Sequence, residues 1–212
     1  MFRSSAAVYG QPNVPLGTLI TEQTPCLPIN PYGETKLEGE VLSRAMAESD
    51  GTKVAALRYF NAAGAGSSEL GDQYIFNLVP IVFDALDKGN QPNVFGNDYP
   101  TSDGSCIRDY IHVCDIARAH TLALQYSIKN NQPKSCEIFN LGTGNGITVL
   151  EAIKAFEKVS GLALNYQIGP RRAGDIVAIY ANNDYAVKKL GWEIKYSLED
   201  MMRTAWDWEK SI

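Results

Sequence analysis

Along this 212-residue chain, short continuous runs of hydrophobic residues alternate with segments in which hydrophobic residues recur at helical spacing. Lys53 to Phe60 is a nearly continuous apolar run, which is typical of a strand buried on both faces of a parallel sheet. Cys136 to Leu141 predicts a second, shorter strand. Apolar spacing of three and four residues, or a lack of Gly and Pro, predicts helices at residues 75–86, 115–126, 149–159 and 184–190. This alternation of strands and helices indicates an α/β fold.

A further helix is predicted to begin at Pro31, because Asn30 is a good N-cap and proline fits the first helical position. Gly51 is expected to end it. Its apolar stripe comprises Leu37, Val41, Leu42 and Ala45. Residues 197–200 begin the last helix with a pattern like a capping box, and Gly191 is expected to end the helix before it.

Tyr32 and Lys36 carry the clearest chemical signal of the chain. They lie four positions apart, so a helix places both on one face, and Ser4 and Ser5 stand upstream. A free tyrosine phenol has a pKa of about 10, and a neighbouring ammonium or a positively charged nicotinamide favours the phenolate. The three kinds of group together suit a proton shuttle. Taken alone, the Tyr-x-x-x-Lys pattern more often marks a half-buried aromatic ring beside a solvated lysine than a catalytic pair.

Longer motifs surround this pattern along nearly the whole chain. Residues 4–10 read SSAAVYG, residues 31–36 read PYGETK and residues 58–61 read RYFN. In these motifs the chain resembles the extended short-chain dehydrogenase/reductase family. Within that family, residues 94–101 (VFGNDYPT) and 108–113 (RDYIHV) are similar to the UDP-glucose 4-epimerases.

The resemblance implies a two-part architecture. Residues 1–61 would be the carboxy-terminal part of a Rossmann-like, doubly wound NAD-binding domain. Residues 62–212 would form mainly a smaller α/β domain for the nucleotide-sugar substrate, with the chain free to cross back to the first. Enzymes of this family hold NAD with a Gly-x-x-Gly-x-x-Gly turn and an acidic strand end, and neither occurs in these 212 residues. We therefore expect the carboxy-terminal portion of an epimerase, which by itself neither retains NAD nor interconverts sugars.

The resemblance also implies individual roles. The catalytic residues would be Ser5, the base Tyr32, and Lys36. The expected cofactor is NAD, with contacts from Ser4, Tyr32, Lys36, Tyr59 and Phe60. The nucleotide sugar would be contacted by Ser5, Asn61, Asn77, Leu78, Val94, Phe95, Arg108, Arg172, Asp175 and Ile179. Among these, the two arginines would bind the diphosphate, Asp175 a ribose hydroxyl, and residues 94–95 the uracil. Arg3 stands where the family usually has another serine, a departure that affects only local cofactor contacts.

Several of these residues also have a purely structural interpretation. The aromatic residues 59–60 could simply end a strand, and Leu78 and Ile179 could belong to the core. Arg108 could pair with its neighbour Asp109.

The implied reaction is the interconversion of UDP-glucose and UDP-galactose through an NAD-dependent 4-keto intermediate. The two UDP-sugars are the expected partners, and the full-length protein is expected to be a homodimer. A nucleotide-sugar 4,6-dehydratase is one alternative. It would need an acidic pair beside the serine, whereas Ser5 is followed by Ala6 and Ala7. The other alternative is a non-catalytic remnant that only binds nucleotide sugars.

Composition narrows the remaining classes. The net charge of −5 argues against nucleic-acid or anionic-membrane partners held by bulk charge. The four cysteines lack Cys-x-x-Cys spacing and are expected to be reduced thiols of a cytoplasmic protein. With His112 and His120 they complete no metal site, and both histidines are expected to be structural. No apolar run is long enough to span a membrane. Residues 142–146 (GTGNG) resemble a nucleotide loop, but their spacing predicts a structural turn.

Overall fold

Ten strands and six helices make up the part of the chain that the computed structural model describes, namely residues 1–72, 78–129 and 135–212. The strands are β1 Phe2–Ser5, β2 Val54–Tyr59, β3 Asn61–Ala63, β4 Asn93–Phe95, β5 Ile107–Arg108, β6 Tyr110–His112, β7 Cys136–Leu141, β8 Ile147–Thr148, β9 Gln167–Gly169 and β10 Ala178–Ile179. The helices are α1 Pro31–Asp50, α2 Leu78–Asp87, α3 Val113–Lys129, α4 Val149–Ser160, α5 Asp184–Leu190 and α6 Leu198–Glu209. A short 3-10 helix, Ala6–Tyr9, follows β1. The predicted α/β class is confirmed.

Parallel strands form the first sheet, in the order β1-β2-β7. The central strand β2 is buried along nearly its whole length, as its apolar run predicts. Strand β7 pairs with β2, so the chain returns to this sheet long after residue 61. The smaller sheets have the order β10-β5-β8 and the pairs β3-β6 and β4-β9. The division into two domains at residue 61 stays a prediction.

The predicted helix boundaries are confirmed within a few residues. Helix α2 begins two residues before Pro80. Gly191 follows α5 in the left-handed conformation, with φ of 64°. Ser197 caps α6, and Asp200 completes the capping box. Ile75, which the periodicity places in the α2 segment, lies outside the described residues.

The two faces of the first sheet carry different helices. Leu57 on β2 and Phe139 on β7 pack with Trp192 against α3 and α5. The neighbouring Arg58 points to the opposite face and contacts α1, as strand alternation requires. A second apolar cluster lies among α2, α4 and α6, where the Phe83 and Trp206 rings stack with centroids 5.6 Å apart.

Helix α1 packs through a different face from the one its apolar stripe predicts. Val41 and Leu42 are 60% and 66% exposed, Ala45 is also exposed, and only Leu37 packs partly against the core. The packed face instead has small residues. A Cβ at Gly33 would lie 2.5 Å from a backbone oxygen of the 3-10 helix, so the backbones meet closely there. Steric fit, rather than apolar content, therefore orients this helix.

A buried ion pair joins α1 to the first sheet. Glu40 and Arg58 are 4% and 3% exposed, and their closest atoms are 2.6 Å apart. Glu40 also accepts a hydrogen bond from the Ser4 hydroxyl. Arg58 donates to the Tyr9 hydroxyl at 2.7 Å, and that hydroxyl donates to Asn140 on β7 at 2.7 Å. One polar network thus crosses from the helix through all three strands.

Glu40→Gln should lower the free energy of unfolding by about 3–5 kcal/mol, because it leaves the buried Arg58 charge uncompensated. Denaturant unfolding of the chain measures this. Glu48→Gln, at an exposed position of the same helix, is the matched control and should change the free energy by less than about 0.5 kcal/mol. Equal effects of the two substitutions would show that the Glu40–Arg58 ion pair is not needed for stability.

Candidate active site

The serine motif forms the carboxyl end of β1 and the turn after it. Ser5 caps the 3-10 helix: its Oγ accepts a hydrogen bond from the Ala7 N–H at 3.2 Å. This leaves its O–H available as a donor. Ser4 points to the other face of the strand, is 2% exposed and donates its hydroxyl to Glu40. The structure therefore separates the two serines: Ser5 lies at the strand end, and Ser4 in the buried network.

Tyr32 and Lys36 share one face of α1, as predicted. The Asn30 side chain caps the helix by accepting from the Gly33 N–H at 2.8 Å. Tyr32 in the first turn is 57% exposed. The Lys36 Nζ lies 5.5 Å from the centre of the Tyr32 ring and donates to the Arg3 backbone oxygen at 2.9 Å. That bond ties the ammonium to β1, two residues before Ser5.

Tyr59 and His120 form a contact beside the serine strand. Tyr59 is in register with Ser5 in the first sheet, and its hydroxyl contacts the His120 Nε2. Burial raises the pKa of Tyr59, the Arg3 guanidinium opposes that shift, and the nearby Tyr32 phenol adds to it. Burial and the same guanidinium lower the pKa of His120. Both groups are therefore held in their neutral forms at pH 7.

The next two residues of the RYFN motif lie deeper. Phe60 is 6% exposed and its ring centre is 6.5 Å from that of Tyr9. The Asn61 backbone N–H donates to the Asp109 backbone oxygen at 2.8 Å, which starts the pairing of β3 with β6.

A second group of predicted residues meets at the β4 and β5 ends. Arg108 and Arg172 both approach the Asp175 carboxylate, at 3.6 Å and 3.1 Å. The Arg172 guanidinium carbon lies 4.6 Å from the centre of the Phe95 ring. Ile179 is the register partner of Arg108 in the β5-β10 pair and is 5% exposed. Two cations, a carboxylate and an aromatic face therefore lie together.

Of three further predicted contacts, one lies in the core and the side chains of the other two fall outside the described residues. The Val94 side chain is 2% exposed and belongs to the cluster around α2 and α4. Leu78 is the first residue of α2, but its side chain and all of Asn77 lie outside the described residues.

Asp109 explains the glycine-rich turn at residues 142–146. Its carboxylate accepts the backbone N–H groups of Thr143, Gly144 and Ala181 and the Thr143 hydroxyl, at 2.7–2.9 Å. The turn thus binds an anion that belongs to the chain itself, and the predicted structural turn is confirmed. Because Asp109 is engaged there, the alternative in which it pairs with Arg108 is wrong. Burial raises the pKa of Asp109, while these donors oppose that shift.

His112 has the structural role expected from the sequence. It is fully buried and stacks on Tyr196 with ring centres 4.0 Å apart. Its Nδ1 accepts from the Cys114 N–H at 3.0 Å, so the proton lies on Nε2, which is 3.0 Å from the Thr204 hydroxyl. Burial lowers its pKa.

A cavity of about 780 Å³ lies elsewhere. It is bounded by residues 62–66, from β3 into the loop after it, and by α2, α3 and α6, and Arg3 lines it, whereas Ser5, Tyr32 and Lys36 do not. Within residues 1–72, 78–129 and 135–212, no helix combines the length and apolarity needed to cross a bilayer. The same residues contain no cluster of His, Cys, Asp and Glu that could hold a metal ion.

Sequence reasoning assigned no role to Glu40 or Arg171, and it gave His120 only a structural one. The signals available were weak: an acidic residue four positions after Lys36, a histidine within a helix, and the first arginine of an Arg-Arg pair. Each acquires a role only through partners distant along the chain.

The chain is similar to known proteins both in sequence and in overall structure. The family model described as GDP-mannose 4,6 dehydratase matches residues 1–205. The UDP-glucose 4-epimerase of Halalkalibacterium halodurans is 45% identical over 99% of the chain and 63% of its own length. A UDP-glucose 4-epimerase structure from Stenotrophomonas maltophila, with bound NAD and formylated UDP-arabinopyranose, has a TM-score of 0.90 at 39% identity, covering 99% of this chain and 62% of that one. The Bifidobacterium longum enzyme with NAD+ and UDP has a TM-score of 0.88 at 39% identity, with the same coverage. The chain therefore spans just under two thirds of the length of these relatives.

The two histidines should make stability depend on pH. Each has a lower pKa when folded than the ordinary 6.5, so the unfolded chain binds protons that the folded chain does not. Their contribution to the free energy of unfolding is thus complete well above about pH 6.5 and is lost as the pH falls below it. Denaturant unfolding between about pH 7.5 and 5.5 should show a smaller decline for His112→Asn/His120→Asn than for the unchanged chain. An equal decline in the double variant and in the unchanged chain would contradict the lowered pKa values of the two histidines.

Proposed function

The chain belongs to the extended short-chain dehydrogenase/reductase family, matching its GDP-mannose 4,6 dehydratase model over residues 1–205, and we propose that it serves as a UDP-glucose 4-epimerase. The observation that carries this proposal is the Arg108–Asp175–Arg172 group beside Phe95, present in the same chain as the Ser5, Tyr32 and Lys36 set. A guanidinium matches the geometry of diphosphate oxygens. The proposed substrates are UDP-glucose and UDP-galactose.

On binding, the nucleotide diphosphate would replace the Asp175 carboxylate as the partner of the two arginines. Arg108 and Arg172 would turn from Asp175 to the diphosphate, and the released carboxylate would accept a ribose hydroxyl. Phe95 offers an aromatic face for the uracil, and the buried Val94 supports it from the core. Asn77 and Leu78 stay proposed contacts on the basis of the resemblance alone.

The chemical step assigned to this chain is a proton transfer. The Tyr32 phenolate would remove the proton of the sugar 4-hydroxyl, while the Ser5 hydroxyl donates a hydrogen bond to the same oxygen. The Lys36 ammonium lies 5.5 Å from the centre of the Tyr32 ring. Asn61 would contact the sugar.

The residues present fit a nicotinamide cofactor. The ammonium of Lys36 and the exposed Tyr32 offer a cation and a hydroxyl beside β1, and the partly exposed Tyr59 offers aromatic surface with Phe60 buried behind it. Ser4 already donates to Glu40, so its hydroxyl is the weakest of the proposed cofactor contacts. NAD, when bound, supplies the acceptance and return of the C4 hydride.

A nucleotide-sugar 4,6-dehydratase is the rival that the family model's description brings forward. Dehydration needs acid and base groups beside the serine, and this chain has Ala6 and Ala7 there, at the start of the 3-10 helix. The epimerase is therefore the better chemical fit. Loss of water from UDP-glucose, rather than its conversion to UDP-galactose, would support the rival.

We also propose that the full-length protein is a homodimer, as the resemblance implies. The exposed apolar side chains of α1, Val41, Leu42 and Met46, offer a surface that such an association would bury. A cytoplasmic location stays a prediction from the cysteine content.

Tyr32→Phe should lower epimerase turnover by roughly 10²–10⁴-fold, because only the ionisable hydroxyl is lost. The measurement is conversion of UDP-glucose to UDP-galactose by this chain joined behind the NAD-binding amino-terminal segment of a relative. Calorimetric UDP affinity should be unchanged. Tyr166→Phe, at a partly exposed tyrosine, is the matched control. Near-normal turnover of the Tyr32 variant would remove this residue from the mechanism.

Ile179→Tyr should shift sugar preference in the same joined protein. The larger ring would reduce kcat/KM for UDP-N-acetylglucosamine relative to UDP-glucose by about 10–200-fold, corresponding to about 1–3 kcal/mol of size discrimination. Ile179→Leu keeps the volume and should leave the ratio unchanged. If the tyrosine variant also leaves the ratio unchanged, Ile179 is only a packing residue.

A further inference from the structure

Two consecutive arginines after β9 lie on two different aromatic rings. The Arg171 guanidinium carbon is 4.1 Å from the centre of the Tyr99 ring, and that of Arg172 is 4.6 Å from the centre of the Phe95 ring. Each arginine also pairs with a carboxylate: Arg171 with Asp98 and Arg172 with Asp175. The proposed function uses only Arg172 and Asp175, so the contacts of Arg171 need their own explanation.

Arg171 is held by three kinds of contact. Its Nε donates to the Asp98 carboxylate at 2.7 Å, and its Nη2 donates to the Asp98 backbone oxygen at 2.6 Å. Its flat face covers the Tyr99 ring, an arrangement that stabilises arginine more than an exposed ion pair alone. Arg171 is 43% exposed and Asp98 69% exposed, so the ion pair contributes little by itself and the ring face is the main anchoring contact.

The backbone around the anchor is shaped to admit it. Gly96 has φ of 81°, and a Cβ there would lie 2.6 Å from the Tyr99 ring and 2.8 Å from the Arg171 Cγ. The Gly96 N–H donates to the Gly169 oxygen at 2.9 Å, which fixes the end of β9 two residues before Arg171. Only glycine allows this close approach.

The Tyr99 ring, and not its hydroxyl, serves this contact. Tyr99 is 5% exposed, and among the described residues its hydroxyl has no hydrogen-bond partner. Burial raises the pKa of Tyr99 to about 12, so the ring stays neutral and attracts Arg171 through its face.

Fixing Arg171 restricts the residue that follows it. The Asp175 N–H donates to the Arg172 oxygen at 3.2 Å, so residues 172–175 form a closed turn. An anchored residue immediately before this turn sets the direction in which the Arg172 side chain leaves the backbone.

We propose that Arg171 is a positioning residue, anchored by Tyr99 and Asp98, that holds Arg172 in place to bind the diphosphate of the nucleotide. The inference rests on the proposed function, since it takes Arg172 as a diphosphate contact. Arg171 itself touches no substrate. Its effect is to order the 170–175 segment before the ligand arrives, which lowers the entropy lost on binding.

The test is calorimetric titration of the 212-residue chain with UDP, whose proposed contacts all lie in this chain. Arg171→Ala should weaken UDP binding about five- to tenfold, through loss of pre-ordering. Arg172→Ala should weaken it by about 10–100-fold, through loss of a charge-assisted contact. Arg203→Ala removes a comparably exposed, ion-paired arginine on α6 and should leave the affinity unchanged.

The double variant Arg171→Ala/Arg172→Ala separates positioning from general stabilisation. If Arg171 acts through Arg172, the double variant should bind UDP within about twofold of Arg172→Ala alone. Losses that multiply would overturn the proposal, and so would an Arg171→Ala chain with unchanged affinity. Absence of UDP binding by the unchanged chain would instead overturn the proposed function, and the inference with it.

Substitutions at Tyr99 test the anchor from its other side. Tyr99→Phe keeps the ring and should leave UDP affinity within about twofold of the unchanged chain. Tyr99→Leu removes the aromatic face and should weaken binding to the same extent as Arg171→Ala. If the Tyr99→Phe chain binds UDP as weakly as the Arg171→Ala chain, the hydroxyl rather than the ring holds Arg171, and the proposed ring anchor is wrong.

Discussion

The buried carboxylate of Glu40 holds together the elements that carry the candidate chemistry. It lies one turn after Lys36 on α1, accepts a hydrogen bond from Ser4 on β1, and pairs with Arg58 on β2. Neither charge of that pair is appreciably exposed, so each is tolerated in the interior only because the other is present. This requirement fixes α1, and with it the Tyr32 phenol, relative to the strand that ends at Ser5, the proposed catalytic serine.

The same network extends towards the strands that carry the proposed nucleotide contacts. From Arg58 it passes through Tyr9 to Asn140, whose amide donates to the Ile20 backbone oxygen at 2.8 Å. The Ile20 N–H in turn donates to the Tyr180 oxygen, next to β10. Since β10 pairs with β5, which carries Arg108, these hydrogen bonds and the backbone between Tyr180 and β10 connect the α1–β1 network to the proposed diphosphate site.

Exposure separates the acidic residues that hold the fold from the one proposed to exchange with ligand. Glu40 and Asp109 are 4% and 0% exposed, and both carboxylates bind buried or partly buried groups of the chain itself. Asp175 is 12% exposed, but its partner Arg172 is 57% exposed. An ion pair with such an exposed cation contributes little to stability, so Arg172 can leave this carboxylate for a diphosphate at small cost, whereas Arg108, 16% exposed, is the more buried partner. Breaking the Glu40 pair would destabilise the whole protein.

The sequence by itself determined the α/β class, the buried central strand, and the helix ends at Asn30, Gly191 and Ser197, because caps and apolar periods act over a few neighbouring residues. Its motifs also located the candidate chemistry. Only the tertiary structure decided that α1 packs through its small residues, that Asp109 fills the glycine-rich turn, and that Arg171 lies on a ring more than seventy positions away. These outcomes depend on steric fit and on pairing of charges between segments distant along the chain, which no local pattern encodes.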